Sequence, residues 1–439
     1  MIADVKPRKF FMHNPFRPGE IVSLPGEFFG RDEEIRALTR SVKQGRHVAV
    51  AGPIGIGKSS LVSRLRLELE GFATGDRCGS VLTVGHKGIA SIDDAAHLVL
   101  SEFVTVDGET EEFSVNVGSK IGFRFSSKVA REYFKEGRHL AVLQEVLLKH
   151  APEHTDLLLI IVDEVDKCSI PITQMFRAIL TKLQFEEVKN IRFVFAGVGS
   201  YLQDMMKEDQ GIGRFLAKPL SVNPLPPDDA EDLISTKLEQ ISDAPENGDR
   251  KLEFSASIIR RLVELSGGHP QVLQYLGYHL VEQEFEDPDG VLSVRDLIGS
   301  FRRICYEDRG YIYDPLIHKL RQEGMLESLK VLFYAGSRSP PTYISRDDAI
   351  NVCDAGTLEW FVDNDIFILA HNGYRLVDEF IRVRVLTEVE DESIVSIEGR
   401  LLLNGAYVSE EQQFKDDYLD DYPIDSDSSE PLDDDWDDE

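Results

Sequence analysis

The run Gly52-Pro53-Ile54-Gly55-Ile56-Gly57-Lys58-Ser59 constrains this chain more than any other stretch. A short apolar segment, Val48 to Ala51, leads into it, and a helical pattern from Ser60 to Glu70 leads out. The spacing G-x-x-x-x-G-K-S is the phosphate-binding P-loop pattern. Its glycines let backbone N–H groups converge on phosphate oxygens with no Cβ in the way. The helix that follows directs its positive end at the same anion. Lys58 is placed to reach the β- and γ-phosphates and Ser59 to ligate Mg²⁺, with Ser60 next on the same turn. A strand before and a helix after predict an α/β unit rather than an isolated glycine-rich turn.

A second stretch narrows the chemistry. Asp156 to Asp166 reads Asp-Leu-Leu-Leu-Ile-Ile-Val-Asp-Glu-Val-Asp. A continuous apolar run of this kind predicts a strand buried on both faces, as in a parallel sheet. Asp163 and Glu164 lie at its end. Beside a P-loop, Asp163 is expected to hold Mg²⁺, mostly through water, and Glu164 to orient and polarise an attacking water. Further strands are expected at Ser80 to Val84, Ile191 to Ala196 and Leu216 to Val222, with a long helix from Val129 to His150. Ser200 follows the Ile191 strand, where it could touch a γ-phosphate or simply cap a helix. Arg214 could serve a neighbouring subunit as an arginine finger, or form a surface salt bridge.

After Pro227 the strand patterns stop and helical ones follow, then a short Asn372-Gly373 hairpin signal between apolar segments. The 439 residues predict two or three packed units. The expected division is an N-terminal arm (1–27), an α/β core (28–225), an all-α lid (226–290), a helical linker (291–325), a winged-helix-like domain (326–390) and an acidic tail (391–439) expected to be disordered.

Charge limits the partners. The formal net charge is −30, and residues 410–439 hold fifteen acids and one base, Lys415. An acidic body argues against nonspecific nucleic-acid binding by the whole surface. Between Leu326 and Leu386 there are six Lys or Arg against nine acids, and the candidate recognition helix carries Glu359 and Asp363. A protein-docking or autoinhibitory role fits that unit better than reading DNA, and the acidic tail could dock a basic partner, compete with nucleic acid for basic patches, or merely solvate the chain end. The Glu112 to Ser127 alternation predicts a protruding hairpin whose Lys120 and Arg124, with Lys128 and Arg131 following, could track a DNA backbone or decorate a surface. Four separated cysteines, no apolar leader core and no bilayer-length apolar run point to a cytoplasmic protein with reduced thiols and no membrane association.

Residues 28–285 resemble the AAA+ superfamily, near its origin-recognition and STAND-like branches. The resemblance rests on Phe29-Gly30-Arg31, Gly52 to Ser59, Ile160 to Asp166, Arg214-Phe215 and Gly267-Gly268-His269-Pro270. It implies ATP and Mg²⁺ as cofactors, ATP hydrolysis and nucleotide-dependent self-association. It also implies that Phe29, Gly30 and Arg31 close over adenine together with the lid. Many AAA+ proteins carry a lid arginine near Gly267-Gly268; here His269-Pro270 resembles the Gly-x-Pro signature of STAND-like switch ATPases, whose proline packs by the adenine. The expectation is therefore an ATP-dependent switch with slow turnover, coupled to oligomerisation or a protein partner and of a kind often found in bacterial defence or signalling. The alternatives are a DNA-binding ATPase of the initiator or transposition-regulator type, and an ATP-binding scaffold that scarcely turns over.

Overall fold

Strands rich in Val, Ile and Phe with no polar face must lie in the middle of a sheet covered on both sides. The computed structural model describes residues 14–22, 25–72, 78–106, 112–117, 121–198, 200–243, 254–286, 296–297, 299–300, 303–335, 343–364, 366–370, 373–377 and 379–386. In the α/β part the strands are β1 (Val48–Ala51), β2 (Cys78–Val84), β3 (Val104–Val106), β4 (Phe113–Val117), β5 (Ile121–Phe125), β6 (Leu157–Asp163), β7 (Ile191–Gly197) and β8 (Leu220–Ser221). Five of them form a parallel sheet in the order β2-β6-β7-β1-β8. β1 is therefore flanked by β7 and β8, not by its sequence neighbour, and the loop after it emerges beside the ends of β6 and β7.

Alternate side chains go to opposite faces. Val48, Val50, Leu159, Ile161 and Val194 pack on one face, with helices Asp32–Lys43 and Lys58–Phe72. Ala49, Leu158, Ile160, Phe193 and Phe195 pack on the other, with helices Ile92–Leu100 and Ser169–Phe185.

Three local expectations are corrected. The helix expected from Val129 to His150 is broken into Lys128–Lys135, His139–Glu145 and a π-helical turn at Val146–His150. Gly137, at φ +72°, takes the left-handed conformation that stops the first piece. The strand expected from Leu216 to Val222 shrinks to a bridge at Leu216 and the pair Leu220–Ser221, because Pro219 between them has no N–H for the ladder. The Glu112 to Ser127 ribbon does not protrude. β3, β4 and β5 form an antiparallel sheet whose Phe113 and Phe125 stack at 4.9 Å within the core. Its Val117 and Ile121 lie so close over Gly79 of β2 that a Cβ there would meet Val117 at 2.6 Å. Arg124 and Lys128 remain exposed, Arg131 bonds Ser126 Oγ at 3.1 Å, and Lys120 lies outside the described residues.

The rest is a helical half. Helices Pro227–Asp243, Ala256–Ser266 and Pro270–Glu286 are followed by Gly310–Gln322 and Leu326–Ala335. Then come β9 (Tyr343–Ser345), helices Arg346–Val352 and Ala355–Asp363, the antiparallel pair β10 (Phe367–Ala370) and β11 (Gly373–Leu376), and helix Glu379–Leu386. The small sheet runs β10-β11-β9. Residues 371–372, where the hairpin turn was expected, lie outside the described residues, as do 1–13 of the arm and the whole acidic tail. One apolar cluster runs through this half without a break, from Leu233 and Leu276 to Tyr313, Leu329, Phe361 and Phe380.

The described part of the arm belongs to that cluster. Phe16 is buried in it, lying against Gly277 so closely that a Cβ there would be 2.3 Å away. Asn14 fastens the same helix, donating from Nδ2 to the carbonyl of Tyr278 and to Glu282, both at 3.0 Å. No helix among the described residues is long and apolar enough to cross a membrane.

Candidate active site

The loop after β1 needs a backbone that L side chains rarely adopt. Gly55 and Gly57 have φ of +76° and +96°, and a Cβ on Gly55 would fall 2.1 Å from Gln271 Oε1. Lys58 opens the helix that follows. Its ammonium turns back into the loop and donates to the carbonyls of Pro53 at 2.7 Å and Gly52 at 3.1 Å. Burial pulls its pKa down to about 8, while the carboxylates of Asp163, Asp166 and Glu164 pull in the opposite direction. A buried cation satisfied only in part by carbonyls, beside amides at a helix start, suits a polyphosphate.

The two acids at the end of β6 occupy different environments. Asp163 is buried, and its Oδ1 accepts from the Glu164 amide at 2.8 Å. Glu164 has a left-handed backbone, φ 52° and ψ 38°, which turns the chain sharply and points it at the cleft. Its half-exposed carboxylate pairs with Lys167 one turn on. Asp166, which sequence reasoning passed over, accepts from the Val198 amide at 2.8 Å and ties the end of β6 to the end of β7.

Lys58 and Glu164 face a cleft of about 320 Å³ between the sheet and the helical half. Phe29, Arg31, Gly55 to Ser60, Glu164 and Pro270 line it. Gly30, at φ +62°, passes hard against Asp229. Arg31 is buried and positions the loop, donating to the carbonyls of Asn223 at 2.5 Å and Ile56 at 3.4 Å and to Glu34 at 3.1 Å. Burial lowers its pKa against the pull of Glu34 and Asp229.

His269 does not line the cleft. It is buried, and its Nε2–H donates to the Ile54 carbonyl at 2.9 Å, so it shapes the loop from behind. Burial holds its pKa at about 4, and its Nδ1 is buried with no hydrogen-bond partner among the described residues. The Ile54 amide donates at 2.8 Å to the carbonyl of Val377, just past β11. One residue of the P-loop is thus held by the lid through its oxygen and by the C-terminal unit through its nitrogen.

Of two further expected residues, one is not at the cleft and the other has a side chain that is not described. Ser200 begins the helix Ser200–Glu208, and its side chain lies outside the described residues. Arg214 is exposed on a 3₁₀ turn beside the opposite end of the sheet, where Leu216 bridges His47. The arm supplies what sequence reasoning missed: Arg17, Ile21 and Val22 line the cleft, and the Val22 amide donates to Ser60 Oγ at 3.1 Å. Its only signal was a Pro- and Gly-rich stretch carrying one aromatic, Asn14-Pro15-Phe16-Arg17-Pro18-Gly19.

Solved structures similar to this chain are known. The Walker-type ATPase of Pyrococcus abyssi has a similar structure, with TM-score 0.57 and 16% identity over 84% of this chain and 99% of that one. The Aeropyrum pernix ORC2 protein in its ADPNP–ADP complexes aligns with TM-score 0.49 and 14% identity over 88% and 97% of the two chains. Cdc6p from Pyrobaculum aerophilum aligns at 0.47 and 16% over 88% and 98%. No curated protein sequence matches. Residues 25–290 match the family described as novel STAND NTPase 1. That match spans the arm's end, the P-loop, the Asp163-Glu164 pair and the lid, and with the parallel sheet around β1 it makes the chain a P-loop NTPase of the novel STAND NTPase 1 family.

Proposed function

We propose that this protein is an ATP-driven switch, in which occupation of the cleft decides how the C-terminal unit, read as a winged helix, sits on the P-loop. The observation that carries the reading is Ile54, bonded to His269 of the lid and to Val377 of the C-terminal unit. A loop that reshapes around phosphate cannot keep both bonds unchanged. Arg375 strengthens the same joint, donating to Ser221 Oγ at 3.0 Å and Asn223 Oδ1 at 2.9 Å at the edge of the sheet.

The residues fit ATP with Mg²⁺. Lys58 would exchange its carbonyl partners for phosphate oxygens, and the amides from Gly57 to Ser60 would add their dipoles. Ser59 and Asp163 are oxygen donors of the kind Mg²⁺ takes, with water and phosphate completing the shell. Bound Mg²⁺ would neutralise charge on the phosphates. Phe29, Pro270, Ile21 and Val22 would enclose the base. Glu164 would accept the proton of the attacking water, after its carboxylate leaves Lys167. That pairing supports slow turnover, since the base is engaged elsewhere at rest. Arg214, at the opposite end of the sheet from its own cleft, would serve a second copy.

Hydrogen exchange tests the reading. ATP should accelerate exchange at the Ile54 amide and in β9 to β11, and Lys58→Ala should abolish that response. Protection in β9 to β11 that stays the same with saturating ATP would refute the coupling.

A further inference from the structure

The opposite end of the sheet carries a feature that the nucleotide chemistry does not use. Where β1 and β7 begin, a hollow of about 520 Å³ is lined by Arg46, Lys189, Arg192 and Arg214, with Glu187 the one acid in its wall among the described residues. His47 in the same wall adds no charge: burial and the neighbouring Arg192 hold its pKa at about 3, and its Nδ1 accepts from the Phe193 amide at 3.0 Å. A concentration of cations of this kind is unexpected on a chain of net charge −30. Arg192 donates from Nη1 to the carbonyl of the preceding Ile191 at 2.7 Å, and its buried Nε has no hydrogen-bond partner among the described residues.

An exposed aromatic follows directly on Leu183 and Gln184 of its wall. Helix Ser169–Phe185 ends in a tight turn, with Val188 N bonded to Leu183 O at 2.9 Å and Glu187 left-handed at φ 55°. That turn leaves Phe185 82% exposed. A cationic hollow beside an exposed aromatic ring fits an acidic peptide with aromatic residues of its own.

The chain contains such a peptide. We propose that residues 410–439 dock in this hollow, their carboxylates on Arg46, Lys189, Arg192 and Arg214, and Tyr418, Tyr422 or Trp436 against Phe185. Those residues hold fifteen acids and one base, a net charge of −14. Residues 387–409 join them to the last described helix. A segment of that length reaches up to about 75 Å when extended, more than the roughly 40–55 Å width expected of a body this size. Being tethered, the tail meets the hollow at roughly millimolar effective concentration, which favours it over a free acidic partner or nucleic acid. Docking there covers Arg214. The proposal does not depend on which nucleotide the cleft takes.

Carbodiimide cross-linking of the full chain, read by mass spectrometry, tests it. At low ionic strength Lys189 should couple to carboxylates within 410–439 in the same molecule. The yield should fall at least about tenfold in high salt, where exposed charges are screened. It should fall comparably in an Arg46→Glu/Phe185→Ser/Arg214→Glu variant with an unchanged thermal melt, and its persistence there would overturn the proposal. Tail cross-links to other lysines only, or only between differently isotope-labelled copies, would also overturn it. So would protection of Lys189 by a duplex oligonucleotide without any tail cross-link, which would assign the hollow to nucleic acid.

Discussion

The two halves of this molecule bury their apolar surface differently. In the α/β half the sheet divides the core in two, one cluster on each face. In the helical half a single cluster passes from the lid to the C-terminal unit and takes in Phe16 of the arm. Around the P-loop the halves meet through hydrogen bonds: Ile54 to Val377 and His269, Arg375 to Ser221 and Asn223, Leu225 to Gly268. Such bonds are worth about 1 kcal/mol each, whereas a buried large side chain contributes about 1.5–3 kcal/mol from area alone. Each half can therefore hold its shape while the joint opens. Chemistry should reside in the first half and coupling in the second.

Glu164→Gln probes the first half and should have the largest effect. Hydrolysis measured by phosphate release should fall by about 10²–10⁴-fold while nucleotide binding persists, and normal turnover would remove Glu164 from the chemistry. Phe16→Ala probes the second. Emptying a fully buried aromatic site should cost about 3–5 kcal/mol in chemical denaturation, with loss of protection concentrated in the lid. Loss confined to residues 14–22 would show that the arm is not part of the helical core.

The pH response belongs to the first half again. Free Lys58 titrates at about 8, and a bound polyphosphate raises that value. Below pH 8 the amine is charged in both states and affinity should be flat. Above it, binding must take up a proton, and affinity should fall by up to about tenfold per unit. Calorimetry in buffers of different ionisation enthalpy would detect that proton, and Lys58→Arg should remove the slope. The smallest effect is expected at the joint. Arg375→Ala should weaken docking of the C-terminal unit by about 1 kcal/mol, seen as faster exchange in β9 to β11 with turnover per bound nucleotide intact.

What could be read from the sequence was local. The P-loop and Asp163-Glu164 are legible because their chemistry needs fixed residues at fixed short spacings, and β6 because an unbroken apolar run has few other places to go. The breaks were legible in hindsight only: Gly137 and Pro219 act through backbone conformation inside otherwise regular patterns. The arm was illegible for a different reason. Val22 bonds a residue 38 positions away and Asn14 one 264 positions away, and no periodicity encodes such partners. His269 was placed in the right neighbourhood, but its action through Ile54 rather than on a ligand depends on packing that no spacing specifies.

The bond from Asn14 to Tyr278 sets an order of events during synthesis. The arm leaves the ribosome ahead of the lid, and its seat on Gly277 and Tyr278 is made some 260 residues later. At about 5–20 residues per second, that interval is roughly 13–50 s. During it the nascent chain can complete β1 to β8 and the P-loop while the cleft still lacks one wall. The fully walled cleft first exists once the lid helix has emerged, so a chain arrested before Gly277 carries the phosphate loop without the enclosure around it.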